Sequence, residues 1–270
     1  MNDLVLEAGR GQIGLGTNRV WVNLTDANAN ITVRAQGDIW LGETVGDMRI
    51  ATIYSQSGNV DIWARAGSVV DAMNADFVNI EANDIRMRAS GSIGSADNAF
   101  NIEARGNGRA AGNGWVTAFA GVNVVLTEAF GDMWVRNIYA GGDVTLVAAL
   151  SMFDAVDVTT PSDPTSGDNT ITTSNPGTDI TGNNITLTAR LGFIGAAGNE
   201  LDLNMAANGV LNATSTQNMY LIETIGDLNL GLVTVASDKT AFLTAVAGSI
   251  LNAAILGASN ITGGKAYLVA

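Results

Sequence analysis

The stretch Asn2-Asp3-Leu4-Val5-Leu6-Glu7-Ala8, followed by Gly11-Gln12-Ile13-Gly14, decides the fold because the chain writes it again. Asn83-Asp84-Ile85-Arg86-Met87-Arg88-Ala89 leads into Gly91-Ser92-Ile93-Gly94, and Asn183-Asn184-Ile185-Thr186-Leu187-Thr188-Ala189 leads into Gly192-Phe193-Ile194-Gly195. A further copy opens in Ala266-Tyr267-Leu268-Val269-Ala270. The copies close at Ala8, Ala89, Ala189 and Ala270, which sets a period of about 81 residues with a longer middle interval. Two other landmarks keep the same spacing. Glu43-Thr44-Val45-Gly46-Asp47-Met48 returns as Glu128-Ala129-Phe130-Gly131-Asp132-Met133 and as Glu223-Thr224-Ile225-Gly226-Asp227-Leu228. Ala66-Gly67-Ser68-Val69 returns as Ala247-Gly248-Ser249-Ile250. Self-similarity at a fixed period is the mark of a repeat architecture. The 270 residues therefore read as one domain, with copies at about 2–82, 83–182 and 183–263 and the start of a fourth at 264–270.

The middle copy carries the surplus residues. Pro161, Pro164 and Pro176, the only prolines, fall in a Thr-, Ser-, Asp- and Gly-rich stretch at 157–179. Proline cannot donate to a sheet ladder, so this stretch is expected to be a loop inserted at the side of a regular stack.

Within each copy, apolar and polar residues alternate over about five positions, as in Val60-Asp61-Ile62-Trp63-Ala64, Ile85-Arg86-Met87-Arg88-Ala89 and Leu201-Asp202-Leu203-Asn204-Met205. Period two describes a strand with one face buried. Gly, Asn and Asp punctuate the runs and supply turn geometry. A sandwich or an antiparallel barrel would use similar strands. The long repeat, and inward positions filled by Ile, Val, Leu and Ala that stack on their like, favour an all-β parallel β-helix, a β-solenoid. At roughly 20 residues per coil, the copy would hold about four coils and the chain about a dozen. With strands ~4.8 Å apart, the rod would be on the order of 60 Å long. Neither end reads as capped, so flanking repeats or end-to-end self-association are expected there.

Composition narrows the function. Acidic residues outnumber basic ones 26 to 13, which argues against a nucleic-acid partner. There is no Cys and no His, so thiol nucleophiles, disulfides, thiolate metal sites and Ser-His-Asp chemistry are excluded within the chain. No apolar run reaches the 18 to 20 or so residues that cross a bilayer.

Gly37-Asp38-Ile39-Trp40-Leu41 and Gly142-Asp143-Val144-Thr145-Leu146, together with Gly91-Ser92-Ile93-Gly94 and Gly248-Ser249-Ile250-Leu251, resemble the repeats of filamentous-haemagglutinin-type adhesins and related giant bacterial exoproteins. The resemblance covers nearly all of the chain outside the insert. It implies a right-handed coil, a secreted or cell-surface location with the export signal outside this segment, and a role as an adhesive or spacing shaft. The implied partners are glycans or proteins of a host or neighbouring cell.

Four groups of residues are candidate sites. Glu43 with Asp47, Glu128 with Asp132, and Glu223 with Asp227 recur in every copy. Paired carboxylates suit calcium, whereas recurrence suits an architectural role, since a catalytic site occurs once. Asp71, Asp76, Glu81 and Asp84 form an acidic stretch that a polysaccharide lyase or hydrolase on a β-helix could use. Trp21, Trp40 and Trp63 fall about one per coil on outward positions. They are a candidate contact for glycan or protein, although Trp40 corresponds to Val125 and Tyr220 in later copies. Thr170–Thr173 and Thr186-Leu187-Thr188 make only a short threonine array. The leading expectation is a non-enzymatic structural or adhesive segment without a cofactor. A glycan-binding module and a polysaccharide-cleaving enzyme are the alternatives.

Overall fold

The computed structural model describes residues 3–74, 76–106, 114–155, 178–254 and 257–270. Every regular element among them is a strand. The first copy contributes β1 (Leu4–Ala8), β2 (Val20–Val22), β3 (Ile31–Ala35), β4 (Ile39–Glu43), β5 (Met48–Ser55), β6 (Val60–Ala64), β7 (Val69–Asp71) and β8 (Ile80–Ala82). The second contributes β9 (Ile85–Ala89), β10 (Phe100–Ala104), β11 (Trp115–Ala120), β12 (Val124–Glu128), β13 (Met133–Ala140), β14 (Val144–Ala148), β15 (Met152–Asp154) and β16 (Ile180–Gly182). The third contributes β17 (Ile185–Ala189), β18 (Leu201–Met205), β19 (Leu211–Ser215), β20 (Met219–Glu223), β21 (Leu228–Thr234), β22 (Thr240–Ala245), β23 (Ile250–Asn252) and β24 (Ile261–Thr262), and β25 (Lys265–Val269) begins a fourth.

These strands build two sheets, as the alternating pattern requires. The first runs β1-β3-β5-β8-β10-β12-β14-β17-β19-β21-β23, and the second β2-β4-β6-β9-β11-β13-β16-β18-β20-β22-β25. Pairing within them is parallel and mostly in step, as in Leu4↔Ile31, Leu6↔Val33 and Ala8↔Ala35. The molecule is thus a β-solenoid of about ten turns. The count falls short of a dozen because several coils are longer than expected: Leu4 registers with Ile31, and Ile53 with Ile80.

One long strand in each copy carries two short ones side by side. β5 pairs with both β7 and β8, β13 with β15 and β16, and β21 with β23 and β24. Eight strands therefore fill seven levels, and with two levels per coil each copy makes three and a half coils, not four. The half coil sends equivalent strands to alternate sheets: β1 and β17 lie in the first, β9 and β25 in the second.

Inward side chains stack on their equivalents. Ile39, Val60, Ile85 and Val116 form one fully buried column. Ala64, Ala89, Ala120 and Ala140 form another at the strand ends, where the repeat-closing alanine falls. Removing such apolar area from water is what holds the stack, at about 25 cal/mol per Å². The Gly-x-Ile-Gly motif makes a tight corner. Ile13, Ile93 and Ile194 plug the core, and their carbonyls accept 2.7 Å bonds from the backbone N–H of Trp40, Val125 and Tyr220. Gly14, Gly94 and Gly195 then take φ of 72°, 68° and 65°. A Cβ there would lie 2.5 Å or less from the carbonyl oxygen of Trp40, Val125 or Tyr220, so only glycine fits.

Apart from Thr178 and Asp179, the expected insert at 157–179 lies outside the described residues, as does Thr170–Thr173. Its place in the chain, between β15 and β16, matches that of the short connections between β7 and β8 and between β23 and β24.

Candidate functional site

β2, β4 and β6 are successive neighbours in the second sheet, and their period-two pattern turns Trp21, Trp40 and Trp63 to its outer face. The three rings do not form one file. Trp21 registers with Gly42 and Gly42 with Trp63, whereas Trp40 registers with Asp61 in the adjoining column. Gly42 has no side chain, so the rings of Trp21 and Trp63 meet over it, 5.3 Å apart and tilted at 57°. A Cβ on Gly42 would stand 2.4 Å from the Trp21 ring.

An ion triad lies beneath these rings. Asp61 accepts from Arg19 Nη2 at 2.9 Å and from Arg88 Nη2 at 3.1 Å. Arg19 Nη1 also donates to the carbonyls of Leu41 (3.0 Å) and Asp61 (2.7 Å). All three ions are at most 9% exposed, although they sit on the outward side of a sheet. The Arg88 guanidinium lies 4.7 Å from the Trp63 ring centre, and that of Arg19 within 6 Å of both Trp21 and Trp40. Burial pulls the Arg19 pKa down while Asp61 pushes it back up. Indole faces thus shield a buried charge cluster in which two arginines share one carboxylate, so that loss of Asp61 would strand both.

The recurring acids are corner pieces. Asp47 Oδ1 accepts from the N–H of Ser68, Asp132 Oδ1 from Ser151 and Asp227 Oδ1 from Ser249, at 2.7 to 2.8 Å. Each bond reaches forward one coil. The glutamates reach backward and are at most 1% exposed. Glu43 accepts from the N–H of Leu24 (3.3 Å), Thr44 (3.1 Å) and Val45 (3.4 Å). Glu223 accepts from Met205 (3.1 Å), Ile225 (3.4 Å) and Gly226 (3.3 Å). Glu128 accepts from Ala104 at 3.1 Å. Burial raises the pKa of Glu43 and Glu223, and the donated N–H groups oppose it. The two members of each pair turn to different coils, and the half-coil repeat puts Glu128 on the sheet opposite Glu43 and Glu223. Among the described residues no group of three or more acidic side chains converges to hold a metal ion.

The acidic stretch is likewise dispersed. Asp71 is buried, and its Oδ1 accepts from Asn79 Nδ2 (2.7 Å) and Met73 N–H (2.8 Å). Glu81 pairs with Arg105 at 3.2 Å. Asp84 accepts from the N–H of Trp115 at 2.9 Å, and Asp76 is exposed in the connection after β7.

Sequence reasoning did not single out Arg19 and Asp61, nor two carboxyl pairs in the middle copy. Glu103 and Glu128 share a hydrogen bond. Burial first and then the charge of Glu103 hold the Glu128 carboxyl well above its usual range, and burial raises Glu103 too. Asp154 and Asp179 share another, and burial, then the charge of Asp154, push Asp179 up to about 10. The comparison among copies held the signal: Glu103 stands where the other copies have Asn23 and Asn204, and Asp179 where they have Asn79 and Asn260.

No protein-family model, no curated protein and no solved structure matches this chain.

Proposed function

We propose that the chain is a rigid structural segment, a shaft, of a large exported bacterial surface protein, holding other parts of that protein at a distance and without chemistry of its own. The observation that carries this reading is what its acids do. The carboxylates that recur in every copy are spent on corner hydrogen bonds that lock one coil to the next. The strongly perturbed carboxyls are also closed off: Glu128, Asp154 and Asp179 are at most 4% exposed, where a glycosidic bond would not reach them. An adhesive contact with cell-surface glycans or proteins fits the same rod, which has long outer faces to offer.

Two measurements test the proposal. Intact cells of the source organism, probed with antibody to this chain, should be labelled. Purified protein incubated with neutral and acidic polysaccharides, with and without calcium, should release no product. Labelling only after the cells are broken would overturn the surface assignment. Cleavage of any one polysaccharide would overturn the structural reading and send mutagenesis to Asp71, Glu81 and Asp84.

A further inference from the structure

The half-coil repeat makes the molecule a comparison of its own two faces. Equivalent positions with the same backbone environment fall alternately on the first and second sheets, so whatever is copied with the repeat should appear on both. Apart from Tyr54 and Tyr139, which hold equivalent places on β5 and β13, aromatic residues do not. Trp40 and Tyr220 lie on the second sheet, and their counterpart on the first is Val125. Trp134, on the second, answers to Arg49 and Asn229 on the first. Phe119 answers to Arg34 and Thr214, and Phe153 to Val70 and Leu251. All five tryptophans and three of the four tyrosines belong to strands of the second sheet, leaving Tyr54 as the tyrosine of the first. The aromatic row therefore follows the face and not the repeat. Inter-coil packing does not demand it, because the first sheet closes the same backbone with Thr, Val, Asn and Arg.

We infer that two copies of this chain pair side by side through the outer faces of their second sheets. Aromatic residues together with arginine make up the buried centre of protein interfaces, where Lys and Glu are depleted. The second sheet's outer face follows that rule, carrying Arg19, Arg86, Arg88 and Arg136 beside its rings. The ring faces are already covered. Tyr220, Phe242 and Tyr267 stack 4.6 and 5.0 Å apart, nearly parallel, and guanidinium groups lie over Trp63 and Trp115. At these five rings it is edges that remain free, which suit another side-chain layer better than the flat face of a sugar. The area suffices. Eleven levels at ~4.8 Å, each about 17 Å wide, give about 800 Å² per partner, the size of a stable interface. A twofold axis along β13, the sixth level, sets the whole of this face in one copy against that of its mate. Tyr139, 45% exposed, then sits next to the axis.

Sedimentation of the whole 270-residue chain tests this inference. A doubled mass at micromolar concentration is expected, with Tyr139→Glu weakening association at least tenfold and Thr145→Glu, on the outer face of the first sheet, leaving it unchanged. Tryptophan fluorescence of the unmodified chain gives a second readout, since all five indoles lie on the pairing face: it should shift to the blue as concentration rises. A chain that stays monomeric at about 100 µM with no blue shift overturns the inference, even if polysaccharide then binds the face. So does open-ended polymer in place of a dimer, or a dimer that Thr145→Glu breaks and Tyr139→Glu spares.

Discussion

The middle copy and its two flanking copies solve the same corner problems with different chemistry. Where one level is shared by two short strands, the first copy closes the gap with Asn79 Nδ2 donating to Asp71 Oδ1 at 2.7 Å, and the third with Asn260 Nδ2 donating to Asn252 Oδ1 at 3.0 Å. The middle copy closes it with two carboxyls, Asp154 and Asp179. At the glutamate corner, Asn23 and Asn204 directly follow the residues in register with Glu43 and Glu223, whereas Glu103 follows the residue in register with Glu128. An amide can donate to a carboxylate; a second carboxylate cannot, unless a proton is retained. The flanking copies close the shared level with an amide donor at any ordinary pH, and their glutamate corners with backbone N–H groups. In the middle copy the raised pKa values of Glu128 and Asp179 favour a retained proton at each corner.

The largest effect that would break this comparison is at the glutamate corners. Replacing Glu43 or Glu223 with Gln puts an amide NH₂ against backbone N–H groups that now donate to the carboxylate. Each change should cost about 2–3 kcal/mol, the penalty for a buried donor left without an acceptor. Glu128→Gln places the same NH₂ within reach of Glu103, an acceptor, and should be neutral or stabilising. Urea denaturation of the three variants at pH 7 checks the sign. Equal losses at all three positions would mean that Glu103 and Glu128 are not joined by a proton.

Exchange of the gap residues comes next. Asp179→Asn rebuilds the first copy's solution in the middle copy and should stabilise it by about 1–2 kcal/mol at pH 7, whereas Asn79→Asp imposes the middle copy's problem on the first and should cost about as much. The pH dependence follows from linkage. Folded Asp179, with its pKa at about 10, keeps a proton that the unfolded chain gives up above about pH 4. Its contribution is therefore complete below that pH and is lost as the pH climbs toward 10. Urea midpoints measured from pH 5 to 9 should fall for the natural chain and flatten for Asp179→Asn. A parallel fall in both would place the titration elsewhere.

The solenoid was readable from the repeat because a period-two pattern copied at a fixed long interval has few physical solutions, and the Gly-x-Ile-Gly corner looks the same in all copies. The half coil was not readable. It comes from the level on which β7 and β8 lie side by side along β5, and nothing in a one-dimensional pattern says that two short runs share a level. That single omission hid the face. Val125 read as an interruption of the tryptophan row, whereas it belongs to the other sheet. Recurrence argued for an architectural role of the repeated acids, but the burial of the glutamates, which accept backbone N–H groups from the coil before, was not readable. Nor was the Arg19–Asp61–Arg88 triad, because its members come from strands 42 and 27 residues apart.

The smallest effect sharpens the comparison most finely. Glu81, which pairs with Glu103 across β8 and β10, is Thr181 and Thr262 in the other copies. Its charge adds to burial in raising the Glu103 pKa, while Arg105 works the other way. Glu81→Gln removes the like charge and should let the Glu103 pKa move back toward the ordinary carboxyl range. The ion pair with Arg105 that it breaks is partly exposed, and such pairs contribute less than about 1 kcal/mol. Relief and loss therefore nearly cancel in stability, but they do not cancel in titration. Carboxyl ¹³C resonances followed against pH should show the Glu103 and Glu128 step move to lower pH in the variant, with the urea midpoint at pH 7 almost unchanged. A step that stays in place would mean that the trapped proton is held by burial and by Glu128 alone, with no part for the column of acids above it.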